Sequence, residues 1–340
     1  MKEAMLYEKA ENNKVRCKLC AHRCLISPES RGVCRVRVNQ EGTLYTLAYG
    51  KAIAANIDPI EKKPLYHFLP GSYAFSIATA GCNFRCEFCQ NWQISQFLRN
   101  HEKKGEDIHF PGEKLSPEQI VKTAINNNCK AIAYTYTEPT IFFEYAYDTA
   151  KIAQNEGLKN VFVTNGYQTP ETIEKMTDLI DAANIDLKSF RNEYYQKVCG
   201  ATLQPVLDSI KLMHEKNIWI EITTLVVPDQ NDSEKELTNI AKFIAGVDKN
   251  TPWHISRFHP AGEMTNAHPT PLETMGKAAK IGEKAGLNFI YLGNTPNSDW
   301  ENTICPQCGE VVISRRGYST TSHLENNRCP QCNTKIPGIF

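Results

Sequence analysis

The chain has 340 residues, 41% of them hydrophobic, and its 38 basic and 38 acidic side chains cancel to a formal net charge of zero. That length and apolar content allow one large domain with small appendages. Charge balance excludes a generic electrostatic pull toward nucleic acid or an anionic membrane, no apolar run is long enough to span a bilayer, and the opening Met1-Lys2-Glu3-Ala4-Met5 lacks the apolar core of a signal peptide.

Of thirteen cysteines, eleven fall into three sets with metal-ligand spacing, and Cys129 and Cys199 are left over. A chain this large needs no disulfide staples, so these sets predict a reducing, anaerobic cytoplasm. The first set is Cys17-x2-Cys20-x3-Cys24-x9-Cys34. Four thiolates in so short a segment predict a closed metal site in a loop-rich knuckle, and zinc or an iron–sulfur cluster would suit it equally. Its expected role is structural, with His22 as a solvated loop histidine. Residues 41–57 alternate as a hairpin does. The charged, proline-broken stretch Asp58-Pro59-Ile60-Glu61-Lys62-Lys63-Pro64 reads as a solvated connection, within reach of covering a neighbouring site.

From about residue 72 the pattern becomes strand, loop, helix, repeated. Strand 73–78 delivers the loop Cys82-Asn83-Phe84-Arg85-Cys86-Glu87-Phe88-Cys89. The polar segment 98–114 reads as a surface excursion. Ser116 caps the next helix, with Pro117 in its first turn. Strand 131–136 ends at Thr137-Glu138-Pro139, and a helix over 141–155 follows. Strand 161–163 ends at Thr164-Asn165-Gly166, and helix 170–181 leads to Asp186-Leu187-Lys188. Helices 203–216, 233–246 and 271–286 alternate with strands 218–226, 253–260 and 289–292. Such alternation predicts a parallel α/β sheet. In a barrel of βα units the carboxyl ends of the strands form the active-site face. That face would gather Cys82, Glu138, Asn165, Asp186 and His259. Six or seven units fall short of eight, so the barrel is expected to be partial, of the (β/α)6 type, and laterally open.

The chain closes with Cys305-x2-Cys308-x20-Cys329-x2-Cys332, two knuckles around a β-rich middle. This predicts a metal ribbon, with zinc as first choice and a rubredoxin-like iron site using the same ligands. Arg315 and Arg316 between the knuckles read as a solvated hairpin face. The expected division is therefore 1–71 for the knuckle and hairpin, 72–300 for the barrel and 301–340 for the ribbon.

The central loop carries the chemistry. Cys82, Cys86 and Cys89 can ligate three irons of a [4Fe-4S] cluster. With no fourth cysteine in the loop, one iron stays open to a non-protein ligand, whereas a zinc site normally closes with four ligands. The C-x3-C-x2-C loop resembles the radical S-adenosylmethionine (SAM) superfamily signature. The resemblance implies that SAM binds the open iron and is cleaved reductively to methionine and a 5'-deoxyadenosyl radical, which abstracts hydrogen from a protein or small-molecule substrate.

Further segments resemble the branch related to pyruvate formate-lyase activating enzymes. Thr137-Glu138-Pro139 resembles the segment that contacts the SAM amino group. Thr164-Asn165-Gly166 and Asp186-Leu187-Lys188 resemble segments lying near SAM, with Lys188 implied for its carboxylate and Asp186 for a ribose or cation. Val163 stands where some members carry an acid. Arg257-Phe258-His259-Pro260 supplies His259, which relatives place by the adenosine. Cys199, in the stretch after Lys188, is a candidate hydrogen donor or substrate ligand. Cys17 to Cys24, Asp58 to Phe68 and the terminal ribbon resemble the AmmeMemoRadiSam-system radical SAM proteins. That likeness implies Memo-like and AMMECR1-like partners, with flavodoxin or ferredoxin as the low-potential electron donor. The competing class is a metal-stapled nucleic-acid-binding protein, and the zero net charge weighs against it.

Overall fold

A computed structural model describes residues 1–104, 109–296 and 299–340. Its centre is one eight-stranded sheet: β1 (Ala54–Pro59), β2 (Tyr73–Ala78), β3 (Ala131–Tyr134), β4 (Lys159–Thr164), β5 (Ala182–Asp186), β6 (Trp219–Val226), β7 (Trp253–Arg257) and β8 (Ile290–Gly293). Spatial order follows chain order, and β2 to β8 are parallel throughout. Helices α1 (Pro117–Asn126), α2 (Phe143–Asn155), α3 (Pro170–Met176), α4 (Gln204–Glu215), α5 (Glu234–Val247) and α6 (Leu272–Ala285) make the crossovers. Among the described residues β1 and β8 do not pair, so the barrel is open at one side, as the sequence predicts.

Local chemistry sets these elements. Ser116 caps α1 in a capping box with Gln119, and Pro117 occupies the first turn, where its missing N–H costs nothing. The buried stripe of α1 is Ile120, Val121 and Ala124, and each large aliphatic side chain there contributes roughly 1.5–3 kcal/mol by leaving water. Strand side chains alternate between two cores. Ile132, Tyr134, Phe162 and Ile185 face the helices, whereas Ala131, Ala133, Val161 and Ala182 face inward.

Those small inward residues leave room for a plug, and two expectations are corrected here. Residues 52–57 do not close a hairpin with 42–47: Thr43–Thr46 pairs with Arg37–Gln40, and β1 instead joins the main sheet antiparallel to β2. The stretch from Asp58 to Pro64 is not a solvated connection. Ile60, Leu65 and Phe68 fill the inner core against the small residues of β2 to β5. Asp58, Glu61 and Lys63 are buried with them. Lys63 Nζ lies 2.6 Å from Asp58 Oδ2, and Tyr136 donates its hydroxyl to the same carboxylate. An apolar plug carried the charged residues inside, where pairing became obligatory.

The amino-terminal segment adds two small three-stranded sheets. Val15, Leu19, Ile26, Val36 and Leu44 share one core with the barrel. The carboxyl-terminal ribbon packs Val312, Ile313 and Ile336 against Phe289 and Tyr291 at the end of the sheet. Arg315 is buried and not solvated as expected: its guanidinium lies 4.3 Å from the Tyr66 ring centroid, and Nη2 donates to the Tyr66 carbonyl at 2.6 Å. Arg316 is exposed. The segment read as an excursion begins with a helix (Phe97–Lys103), and residues 105–108, Glu106 included, lie outside the described residues. No helix among the described residues is long and apolar enough to cross a membrane.

Candidate functional site

A cavity of about 800 Å³ opens at the carboxyl ends of the strands. It collects Cys82, Cys86, Cys89, Glu138, Thr164, Asn165, Asp186 and Lys188 from loops far apart in sequence. They follow, or end, four neighbouring parallel strands, β2 to β5, so strand direction aims them at one place.

The cysteine loop is held by its own backbone. Arg85 N–H donates to the Cys199 carbonyl at 2.9 Å and Glu87 N–H to the Val198 carbonyl at 3.1 Å. The Phe84 carbonyl accepts from Gln96 Nε2 at 3.1 Å, and the Asn83 carbonyl lies 2.9 Å from His22 Nε2. Phe84 anchors the loop from below, buried beside Tyr167 with ring centroids 5.2 Å apart. Phe84 N–H donates to Cys82 Sγ at 3.4 Å, and Ser95 Oγ lies 3.3 Å from Cys89 Sγ. Among the described residues, the only metal-ligand group whose donor atoms all lie within 4.8 Å of one another is Cys305, Cys308, Cys329 and Cys332. The three loop thiols are therefore spread too widely for one ion. A soft, all-sulfur donor set with hydrogen-bonded sulfurs and ligands set apart fits an iron–sulfur cluster.

Glu138 organises the neighbouring strand ends. Its Oε1 accepts from Thr140 N–H at 3.0 Å, Thr140 Oγ1 at 2.5 Å and Thr164 Oγ1 at 2.7 Å, while Oε2 accepts from Asn165 N–H at 2.8 Å. Burial pushes the Glu138 pKa up against the pull of these donors. Oε2 holds one donor only, leaving acceptor capacity that suits an ammonium. Asn165 Nδ2 in turn donates to Asn83 Oδ1 at 2.7 Å, tying this strand end to the cysteine loop. Lys188 Nζ pairs with Asp186 Oδ2 at 3.0 Å. Burial disfavours the Lys188 charge, but Asp186 and the nearby Cys86 and Cys199 thiols outweigh it and hold the pKa well above the usual lysine range. The site thus carries a fixed cation beside three sulfurs.

Two named candidates lie elsewhere. Cys199 is fully buried behind the loop and does not line the cavity. Its thiol donates toward Cys86 and lowers that residue's pKa against the effect of burial. His259 is exposed and also absent from the cavity wall. The histidine that does line it is His254, whose Nε2 lies 2.6 Å from Glu221 Oε2. Glu221 also accepts from the backbone N–H groups of Tyr66 and His67 at 2.9 and 2.8 Å. These donors hold Glu221 below the usual carboxylate range despite burial. A lone acid amid the apolar residues of β6 was the available signal for this pair. Glu61 and Tyr318 also line the cavity, and nothing local in the sequence marks them for it.

The terminal sets differ. In the ribbon, Cys305 and Cys332 sulfurs are 3.5 Å apart, and those of Cys308 and Cys329 are 3.6 Å apart. Sulfurs around one tetrahedral ion with metal–sulfur bonds of about 2.3 Å stand about 3.8 Å apart. The ribbon therefore fits a single ion. Cys17, Cys20, Cys24 and Cys34 line a separate small cavity with Arg37.

Comparison with known proteins agrees with this geometry. The radical SAM superfamily model matches residues 76–241, from β2 into α5. An uncharacterized protein of Methanocaldococcus jannaschii is 46% identical over 93% of this chain and 92% of its own. The pyruvate formate-lyase 1-activating enzyme of Escherichia coli is 24% identical over 62% of this chain and 89% of its own. A crystal structure of a radical SAM methyltransferase from Sphaerobacter thermophilus shares the fold with a TM-score of 0.51 at 12% identity, covering 67% of this chain and 68% of that one.

Proposed function

The chain belongs to the radical SAM superfamily, and from that premise we propose that it holds a [4Fe-4S] cluster on Cys82, Cys86 and Cys89, binds SAM beside it, and removes a hydrogen atom from a substrate admitted to the same cavity. The observation that carries this is the meeting of three thiols, Glu138, Asn165, Asp186 and Lys188 on one wall. Bound and reduced, the cluster supplies the electron that cleaves SAM to methionine and a 5'-deoxyadenosyl radical. The chain's own residues do the rest. Glu138 offers its free acceptor capacity to an ammonium, Lys188 offers its cation to a carboxylate, and Asp186 shares that cation and accepts from a hydroxyl. Asn165 keeps the loop and the fourth strand in register.

A low-potential flavodoxin or ferredoxin would supply the electron. The substrate is either a protein, with glycyl-radical proteins among the candidates, or a small molecule, and Memo-like and AMMECR1-like proteins are the proposed partners. The 24% identity to the pyruvate formate-lyase 1-activating enzyme, which is named for acting on an enzyme, is the observation favouring a protein.

The test is anaerobic reconstitution with iron and sulfide, reduction with dithionite and assay of 5'-deoxyadenosine from SAM. We expect formation by the wild type and none by Cys82→Ala. Acceleration by an added protein marks a protein substrate, and full turnover with a small molecule alone marks the other class. Spectroscopic evidence of a fourth protein ligand to the cluster, or of no iron at the loop, would overturn the reading.

A further inference from the structure

We propose that Cys17, Cys20, Cys24 and Cys34 hold a second iron–sulfur cluster and not a zinc ion. The four side chains line one cavity together with Leu19, Ile26 and Ile141, so they face each other across a largely apolar space. Their sulfurs do not gather within 4.8 Å of one another, as those of the terminal ribbon do. A single tetrahedral ion needs that close gathering. A four-iron cube does not, because each thiolate sits on a different iron. The knuckle shares its wider arrangement with the Cys82 loop, while the ribbon alone has the compact one.

A second observation points to an anionic occupant. Arg37 lines the same cavity and is 1% exposed. Glu144 Oε2 takes one of its nitrogens, Nη2, at 2.6 Å, whereas Nε and Nη1 are buried without a partner. Leaving charged donors unsatisfied is costly. A cluster bound by four thiolates is negatively charged and bears sulfurs that accept hydrogen bonds, so it would satisfy them.

The knuckle is also built onto the catalytic loop. His22 Nε2 meets the Asn83 carbonyl at 2.9 Å, and Ala21 N–H donates to the Tyr167 carbonyl at 3.0 Å. A side chain on Gly81 would meet the Cys34 carbonyl at 3.1 Å. The two cysteine loops thus touch through these groups, and magnetic interaction between two reduced clusters is an expected property.

The inference uses residues outside the catalytic set, and its test separates the two. Full-length wild type, the triple variant Cys82→Ala/Cys86→Ala/Cys89→Ala and the double variant Cys20→Ala/Cys34→Ala are reconstituted anaerobically with ferrous iron and sulfide. The triple variant should keep about half of the wild-type acid-labile sulfide, as expected for one of two cubes. It should also give a reduced-cluster EPR signal that SAM does not perturb. The wild type should show that signal broadened by a second, SAM-sensitive one. Mössbauer spectra of wild type report the iron without relying on either variant folding. A wild type with one cube's worth of cluster iron, or a triple variant without sulfide whose knuckle carries zinc that the double variant loses, overturns the inference. A SAM-sensitive signal in that same wild type would leave the catalytic reading standing. A second cluster without any SAM-sensitive signal would support this inference and sink that reading instead.

Discussion

At the scale of single residues, the site depends on buried polar groups that are almost fully committed. Glu138 ties together Thr140, Thr164 and Asn165. Glu138→Gln replaces an acceptor by a group that must also donate, into a ring of donors. A loss of about 1–3 kcal/mol in stability is expected, with SAM affinity falling roughly tenfold while cluster iron is retained. Titration of SAM against the reduced-cluster EPR signal and thermal melting measure both. His67 gives a pH dependence. It is fully buried between the Pro337 carbonyl and the Tyr291 hydroxyl, and burial pushes its pKa down from 6.5 to about 4 against the attraction of Glu221. Between those two pH values the unfolded chain binds a proton that the folded chain does not, so stability rises with pH across the window and falls on acidification. The total is roughly 3 kcal/mol. Melting curves of wild type and His67→Gln should converge as the pH is lowered from 6.5 to 4, and parallel curves would refute the assignment.

At the scale of elements, the cysteine loop is positioned by what touches its backbone. Gly81 opens it with φ of +103°, and a Cβ there would stand 2.7 Å from Val36 Cγ2. Both the backbone conformation and the space exclude a side chain. Gly81→Ala should cost roughly 1–3 kcal/mol and separate the amino-terminal segment from the loop. The expected reading is lower cluster iron at the Cys82 set with the helices intact by circular dichroism. Full iron content in this variant would mean that the loop is held from elsewhere. The stretch from Asp58 to Phe68 makes the same point from inside the barrel. Its apolar residues select a buried place between small side chains, and its charged residues follow and pair.

At the scale of the whole molecule, the ends of the chain are parts of one machine. The ribbon brings Arg315 into the interior and Tyr318 to the cavity rim. It covers Phe289 and Tyr291 at the end of the sheet. Cys305→Ser with Cys329→Ser should release one ion per chain and uncover that apolar patch. The expected change in Tm is a drop of roughly 5–10 °C, at about 2–4 °C per kcal/mol, with cluster iron unchanged. Metal analysis and calorimetry check it. An unchanged Tm would mean that the ribbon folds without its ion.

The sequence by itself determined the alternation of strands and helices, the capped start of α1, the three-cysteine loop and the gathering of Cys82, Glu138, Asn165 and Asp186 at the strand ends, whereas the places of Thr164 and Lys188 were implied only by resemblance. Each of the former follows from local spacing plus one rule, that parallel strands point their carboxyl ends the same way. What only the tertiary structure decided needs two distant segments to meet. Glu221 binds His254 from the neighbouring strand, the charged run at Asp58 enters the barrel because alanines on three strands leave a hole, and Arg315 reaches Tyr66 across the length of the chain. The placement of Cys199 behind the loop and of His259 on the surface is of the same kind. No residue's neighbours in sequence encode which side of a loop it will face, because that choice is made by packing against elements the local chain never sees.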